Sequence, residues 1–184
     1  MSTEIKVTIV AGDGIGPEVT REAVQILESI GQLNNYKFHF VEMPIGGVAI
    51  RQHGSPLPTA TLDAALDSDA VFLGAVGGNE FNSLSPDKRP EAGLLQLRHA
   101  LGGFANLRPS VAYGPLSNNS PLRPEVTEGA NILFVRELLG GLYFGEPRSW
   151  DRESGVGFNT MRYTREEVLR VAHIAFELAQ KRRH

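Results

Sequence analysis

The segment PEAGLLQLR at 90–98 sets an acid, two leucines and a guanidinium at a spacing that chemistry can use. On a helix, Glu91, Leu94, Leu95 and Arg98 share one face, because residues three, four and seven apart line up. A soluble helix turns its leucines inward and its charges outward. Such a mixed face is therefore either a solvated helix edge or the wall of a pocket that holds a small apolar group beside an anion. Glu91 does not neutralise Arg98 along the helix, since seven residues rise about 10 Å. Two further arginines stand in apolar settings, Arg108 in NLRP and Arg136 after ILFV. Arginine seldom sits among apolar residues without a partner or an anion. Three guanidinium forks would suit a small dicarboxylate or tricarboxylate, each gripping a carboxylate through two N–H groups. Three unrelated ion pairs fit the spacing equally well. Tyr143, in GGLYFGEP, has a hydroxyl able to donate a proton near cations, although a packed aromatic anchor is the commoner fate of a lone tyrosine. His39, His53, His99, His173 and His184 show no metal-ligand spacing.

Two glycine-bearing loops could meet a ligand. GDGIGP at 12–17 joins a strand to a helix N-terminus, where backbone N–H groups face an anion or a cofactor edge. Its glycines do not match the GxGxxG fingerprint, and a plain tight turn explains it as well. Gly77 and Gly78 open a long loop, GGNEFNSLSPDKRP, after an apolar strand. Loops at the carboxyl ends of strands line the ligand crevice in open α/β sheets, but a surface connection is the plain alternative.

These residues need elements to position them. IKVTIVA (5–11) reads as a buried strand, and Pro17 opens a helix with the stripe Val19, Ala23, Ile26, Leu27 and Ile30, stopped by Gly31. YKFHFVEM (36–43) is a second strand, Thr59 or Thr61 caps a helix to about Leu66, and AVFLGAV (70–76) is a third strand. Strands alternating with helices predict an open α/β sheet with crossover helices. FANLRPSVAY (104–113) and NILFVREL (131–138) read as strands around a polar, proline-marked loop. LYFGEPR and FNTMRY, flanking a polar middle, predict a hairpin-like arm over 143–163, with too little core of its own to stand unsupported. Thr164 and Glu167 form a capping box for the last helix, whose apolar face is Val168, Val171, Ala172, Ala175, Leu178 and Ala179, with KRRH at its C-terminal end. Because the pattern stops after a helix, where another strand is expected, the sequence reads as truncated.

The 184 residues carry a net charge of -3, 41% hydrophobic residues and no cysteine. No basic field invites nucleic acid, disulfides and thiolate chemistry are excluded, and no segment resembles a signal peptide or a membrane span. A cytoplasmic globular chain is the expectation.

Taken in order, GDGIGPEV, GAVGG, RPEAGLLQLR, FANLRP, VRELLGGLYFGEPR and FNTMRYTREEVLRVAHIAFELAQKRR resemble the β-decarboxylating dehydrogenases, and among them the 3-isopropylmalate dehydrogenases. The likeness runs from about residue 5 to the end. It implies the N-terminal part of a two-domain fold, with 1–103 in the first domain and 104–184 beginning the second, dimerisation domain. It implies NAD-dependent oxidative decarboxylation of a branched hydroxy-dicarboxylate, 3-isopropylmalate, by a homodimer using Mg2+ or Mn2+. Arg98, Arg108 and Arg136 match substrate-carboxylate ligands, and Leu94 and Leu95 match the contacts to the branched alkyl group. Glu91 matches a residue between that group and the nicotinamide. Tyr143 matches the tyrosine that assists protonation, and Ile15, Gly77 and Gly78 match the cofactor side. Isocitrate-oxidising relatives carry a polar, serine-bearing helix instead of EAGLL; tartrate and homoisocitrate are further sister substrates. Two departures stand out. Leu139 replaces a threonine, and the segments bearing the catalytic lysine and the metal-binding aspartates have no match here. Lys6, Lys37, Lys88 and Lys181 all lie outside the lysine motif, so no metal ligand is expected in this chain, and alone it is expected to be inactive. A non-catalytic assembly role for the arm is the rival of another class.

Overall fold

The structure is a computed structural model and describes residues 3–182. The chain forms two compact units, one ending at Leu101 and the other starting at Gly102.

The first unit is built on three strands, β1 (Thr3–Gly12), β2 (Tyr36–Glu42) and β3 (Ala70–Ala75). They are parallel, with β1 in the middle and the order β2-β1-β3. Helices α1 (Gly16–Asn34), α2 (Gly47–His53), α3 (Thr59–Leu66) and α4 (Pro90–Ala100) complete it. Its core gathers Val10, Ile45, Leu57, Ala65 and Leu97, with Val71 and Leu73 of β3 packed against them. The buried Thr8 hydroxyl donates to the Ala64 carbonyl of α3 at 2.9 Å, so the polar atom inside the sheet is satisfied.

The sequence reading did not expect α2, and it differs from this unit in three further places. Helix α1 runs past Gly31 to Asn34 and is closed by Asn35 in the left-handed region at φ 57°. Gly31 is there for space: a Cβ would stand 2.8 Å from the Tyr36 carbonyl oxygen. The helix also faces differently. Gly16, Thr20 and Gly31 are its buried residues, whereas Val19, Ile26 and Ile30 point outward. Finally, α3 begins after Pro58 with no side-chain cap, and Thr61 instead donates its hydroxyl to the Pro44 carbonyl at 2.8 Å.

In the second unit β4 (Ala105–Val111) and β5 (Asn131–Glu137) pair antiparallel, with Arg108 opposite Phe134 and Asn106 opposite Arg136. The loop between them holds the one-turn helix α5 (Pro124–Thr127). The arm pairs β6 (Ser149–Asp151) with β7 (Val156–Phe158), so its strands lie in the polar middle of the segment rather than in its flanks. Helix α6 (Arg165–Gln180) packs on β5 and carries the predicted capping box: Thr164 accepts from the Glu167 N–H, and Glu167 accepts from the Thr164 N–H. Of the terminal cations, Arg182 donates to the Asn131 side chain at 2.6 Å; Arg183 and His184 lie outside the described residues.

Candidate functional site

In the first unit the candidate residues gather at the carboxyl ends of β1 and β3. Asp13, which the sequence reading passed over inside GDGIG, organises them. It is only 6% exposed, and its carboxylate accepts the N–H groups of Gly47 at 2.7 Å, Val48 at 2.8 Å and Gly77 at 3.0 Å. One side chain thus ties the turns after all three strands together. The only signal in the sequence was an acid between two turn glycines, a pattern that also fits an exposed turn. Ile15 stands just before α1 with its side chain largely exposed. Gly77 has φ 117°, a region side chains avoid, and a Cβ there would lie 2.8 Å from Glu91 Oε1. Glu91 of α4 therefore reaches over Gly77. Beside it, a Cβ on Gly78 would meet Glu80 Oε2 at 2.5 Å. The long loop after β3 is pinned: Phe81 is buried, and the Arg89 guanidinium donates to the carbonyls of Leu84 at 3.0 Å and Asn82 at 2.8 Å.

Helix α4 resolves the placement of its leucines. It buries Pro90, Gly93 and Leu97, with Leu97 at 2% exposure inside the core. The face carrying Glu91, Leu94, Leu95 and Arg98 is turned away from that contact, and Leu94, Leu95 and Arg98 are half-buried. Of the three leucines of α4 that matter here, only Leu97 belongs to the core cluster.

In the second unit, Arg108 and Arg136 occupy diagonal positions on one face of the β4–β5 ribbon, where side chains stand roughly 7–8 Å apart. Both are exposed. Arg136 donates from Nη2 to the Tyr143 hydroxyl oxygen, and its guanidinium lies 5.3 Å from the ring centroid. The phenol oxygen is the acceptor, so its own proton remains for donation elsewhere. A cavity of ≈ 490 Å³ borders this pair, lined also by Leu142, Met161, Tyr163 and Val168.

What holds Tyr143 was not foreseen. Glu137 accepts from Arg170 Nη2 at 2.9 Å, and from the N–H groups of Leu139 at 3.0 Å and Gly140 at 2.7 Å. The turn after β5 is thereby fastened to α6. Gly141, at φ 69°, bridges to Arg162, and a Cβ there would collide with the Tyr163 hydroxyl.

The family model for isocitrate/isopropylmalate dehydrogenases matches residues 6–184. The chain belongs to the isocitrate/isopropylmalate dehydrogenase family. It is 51% identical to a 3-isopropylmalate dehydrogenase of Salinibacter ruber over 93% of this chain and 46% of the relative. With one from Sulfurimonas denitrificans it shares 46% over 96% of this chain and 49% of that one. Among solved structures, a β-decarboxylating dehydrogenase of Thermococcus kodakarensis superposes with a TM-score of 0.65 at 32% identity, covering 96% of this chain and 46% of the other. An isocitrate dehydrogenase of Methylococcus capsulatus gives 0.75 at 26%, with 96% and 48% covered. The chain spans about half the length of the curated relatives it matches. Among the described residues no three histidine or acidic side chains gather as metal ligands, and no helix is long and apolar enough to cross a membrane.

Proposed function

We propose that the whole protein oxidises 3-isopropylmalate with NAD and releases CO2, and that this chain supplies arginines, a proton donor and part of the cofactor wall. The observation that carries the reading is the Arg136–Tyr143 pair, in which a guanidinium fixes a phenol oxygen and leaves its proton unused. A carboxylate-bearing substrate needs such a cation, and the carbon left after CO2 departs needs such a proton. Arg98, Arg108 and Arg136 hold the malate carboxylates, so their part is orientation and charge stabilisation rather than covalent chemistry. Leu94 and Leu95 take the isopropyl group. Their place on the face of α4 away from the buried Pro90, Gly93 and Leu97 supports this.

The cradle at Gly77 fits the edge of a cofactor, because any side chain there would close it onto Glu91. NAD, when bound, supplies the electron acceptor; Ile15, Gly77, Gly78 and Glu91 form its wall and set its distance from the substrate. The Mg2+ or Mn2+ that the resemblance implies has no set of three ligands among the described residues. The second unit begins a dimerisation domain, and the arm at 143–163, whose Trp150, Val156 and Phe158 are exposed, packs on a second copy in a cytoplasmic homodimer.

The test joins this chain at residue 184 to the second half of the Salinibacter ruber relative. With NAD, Mg2+ and 3-isopropylmalate the fusion forms NADH, and the 184-residue chain alone does not. Tyr143→Phe lowers kcat about a hundredfold, the usual scale for a lost proton donor, and changes KM little. Full kcat in that variant would remove the tyrosine's role. Preference for tartrate or isocitrate would overturn the substrate, and robust turnover by the isolated chain would overturn its dependence on a second half.

A further inference from the structure

The loop that follows β3, GGNEFNSLSPDKRP at 77–90, holds two large apolar side chains, Phe81 and Leu84. Phe81 is buried at 7% exposure, yet it is not part of the core cluster of its unit. An aromatic ring taken out of water contributes strongly wherever it packs, so its contact shows what it fastens. That contact is glycine backbone. A Cβ on Gly47, the first residue of α2, would stand 2.2 Å from Phe81 Cε2 and 2.4 Å from Cζ, so the ring rests where any side chain would exclude it. The N–H of this Gly47 donates to Asp13 Oδ2 at 2.7 Å, and the N–H of Gly77 donates to the same oxygen at 3.0 Å. The peptide under the ring and the cradle at Gly77 are therefore joined through one carboxylate oxygen.

Arg51 lies one turn along α2 from Gly47, on the same face. Its guanidinium carbon is 5.5 Å from the Phe81 ring centroid. Nη1 is 3.4 Å from Glu80 Oε1, and Nη2 stands 4.0 Å from Asp13 Oδ1. The other carboxylate oxygen of Glu80 lies 2.5 Å from where a Cβ on Gly78 would be. Arg51 and Glu80 are 56% and 62% exposed, and an exposed ion pair contributes little by itself. The buried ring carries most of the fastening, and the guanidinium covers it.

We propose that Phe81, covered by Arg51, is a positioning residue for the cofactor wall: its ring keys the start of the loop onto α2 and so holds Gly77 and Gly78 where a cofactor edge meets Glu91. The proposal rests on the cofactor reading of that cradle given above. Neither side chain has to touch the ligand, because both act through the backbone of Gly47 and Gly77. Gly77 needs such a hold: at φ 117° it is a point where the backbone turns freely. Without the ring, the turn Asn79–Phe81 lifts from α2, the Gly77 N–H leaves Asp13, and the gap beneath Glu91 loses its fixed width.

The test uses the fusion with the second half of the Salinibacter ruber relative, and reads hydrogen exchange and NAD binding by calorimetry, both without turnover. In Phe81→Ala the Gly77 amide exchanges about tenfold faster than in the parent, while the amides of Ile9 and Val10 in β1 keep their rates. The dissociation constant for NAD rises about tenfold, as a wall that is no longer preorganised requires. Phe81→Leu, which keeps most of the buried apolar surface, brings both quantities back close to the parent. Arg51→Ala, at an exposed position that leaves the fold intact, moves both in the same direction by roughly threefold. Circular dichroism shows that each variant is folded. An unchanged Gly77 rate in folded Phe81→Ala would overturn the proposal, and so would a freed Gly77 amide with unchanged NAD affinity. Equal acceleration of Ile9 and Val10 would make the ring a part of the fold alone, and parent values in Arg51→Ala would deny the guanidinium its part. A parent fusion that binds no NAD would overturn the cofactor reading and the proposal with it. A parent that binds NAD, beside a Phe81→Ala variant that binds it equally well, overturns the proposal alone.

Discussion

Asp13 and Glu137 do the same work in the two units: each buried carboxylate collects backbone N–H groups from turns that carry candidate site residues. A carboxylate oxygen accepts more than one hydrogen bond, which suits it to joining several turns. Asp13→Ala leaves three N–H groups without their acceptor. We expect a loss of about 3 kcal/mol, since an orphaned buried donor costs roughly 1–3 kcal/mol and water reaches part of the opened space. Urea unfolding followed by circular dichroism measures it; a loss below about 1 kcal/mol would mean that the turns hold themselves. Glu137 has a second role, because it also takes the Arg170 guanidinium, which lies 4.9 Å from the Phe104 ring centroid. Glu137→Gln keeps the shape but weakens that pairing. In the fused enzyme it lowers kcat in parallel with mobility of Tyr143, read as broadened ring resonances. Unchanged ring lines with normal kcat would deny Glu137 a positioning part.

The helices and strands were largely legible, and the departures have physical reasons. Residues 165–180 show their capping box and apolar spacing in the sequence itself, and the helix forms there. The α1 stripe was legible as apolar but not as to which part of it would be buried: two glycines and a threonine pack closest, because only small residues let a helix approach the sheet. Gly31 resembles a stop signal yet serves a close approach, and nothing local separates those uses. The opening face of α4 was visible from its spacing, whereas its orientation depends on Leu97 entering a core made by distant segments. Asp13 and the Glu137–Arg170 pair were not visible because their partners are backbone groups and a residue 33 positions away. The α6 cap also predicts a pH effect. Glu167 ionises below its ordinary value of 4.5, chiefly through the Thr164 N–H that its carboxylate accepts. Folding favours the ionised form, so this contribution is complete above pH 4.5 and disappears as pH falls through the lower folded value. Thr164→Ala costs about 1 kcal/mol at neutral pH. Glu167→Gln is destabilising at neutral pH, and its difference from the parent should vanish in acid, as the helical signal in far-ultraviolet circular dichroism will record. A difference independent of pH would remove the carboxylate from the cap.

At the scale of the molecule, the accessible surface of 12897 Å² is more than this mass requires. Two separate compact domains sharing 20.0 kDa would expose about 10,500 Å² between them. The excess is consistent with apolar side chains left uncovered on α1, on β5 at Ile132 and Phe134, and on the arm at Trp150. An apolar dye that fluoresces on exposed hydrophobic surface should therefore bind this chain strongly. A signal no higher than that of a compact protein of the same mass would mean that these side chains are covered in solution. The open side of β3 also matters before any catalysis begins. A ribosome releases this strand well before the later half of a full-length family member has been translated, and for that interval a bare, uncharged β edge is offered to every neighbouring nascent chain. Until that edge is covered, it is a ready template for pairing with a strand of another chain.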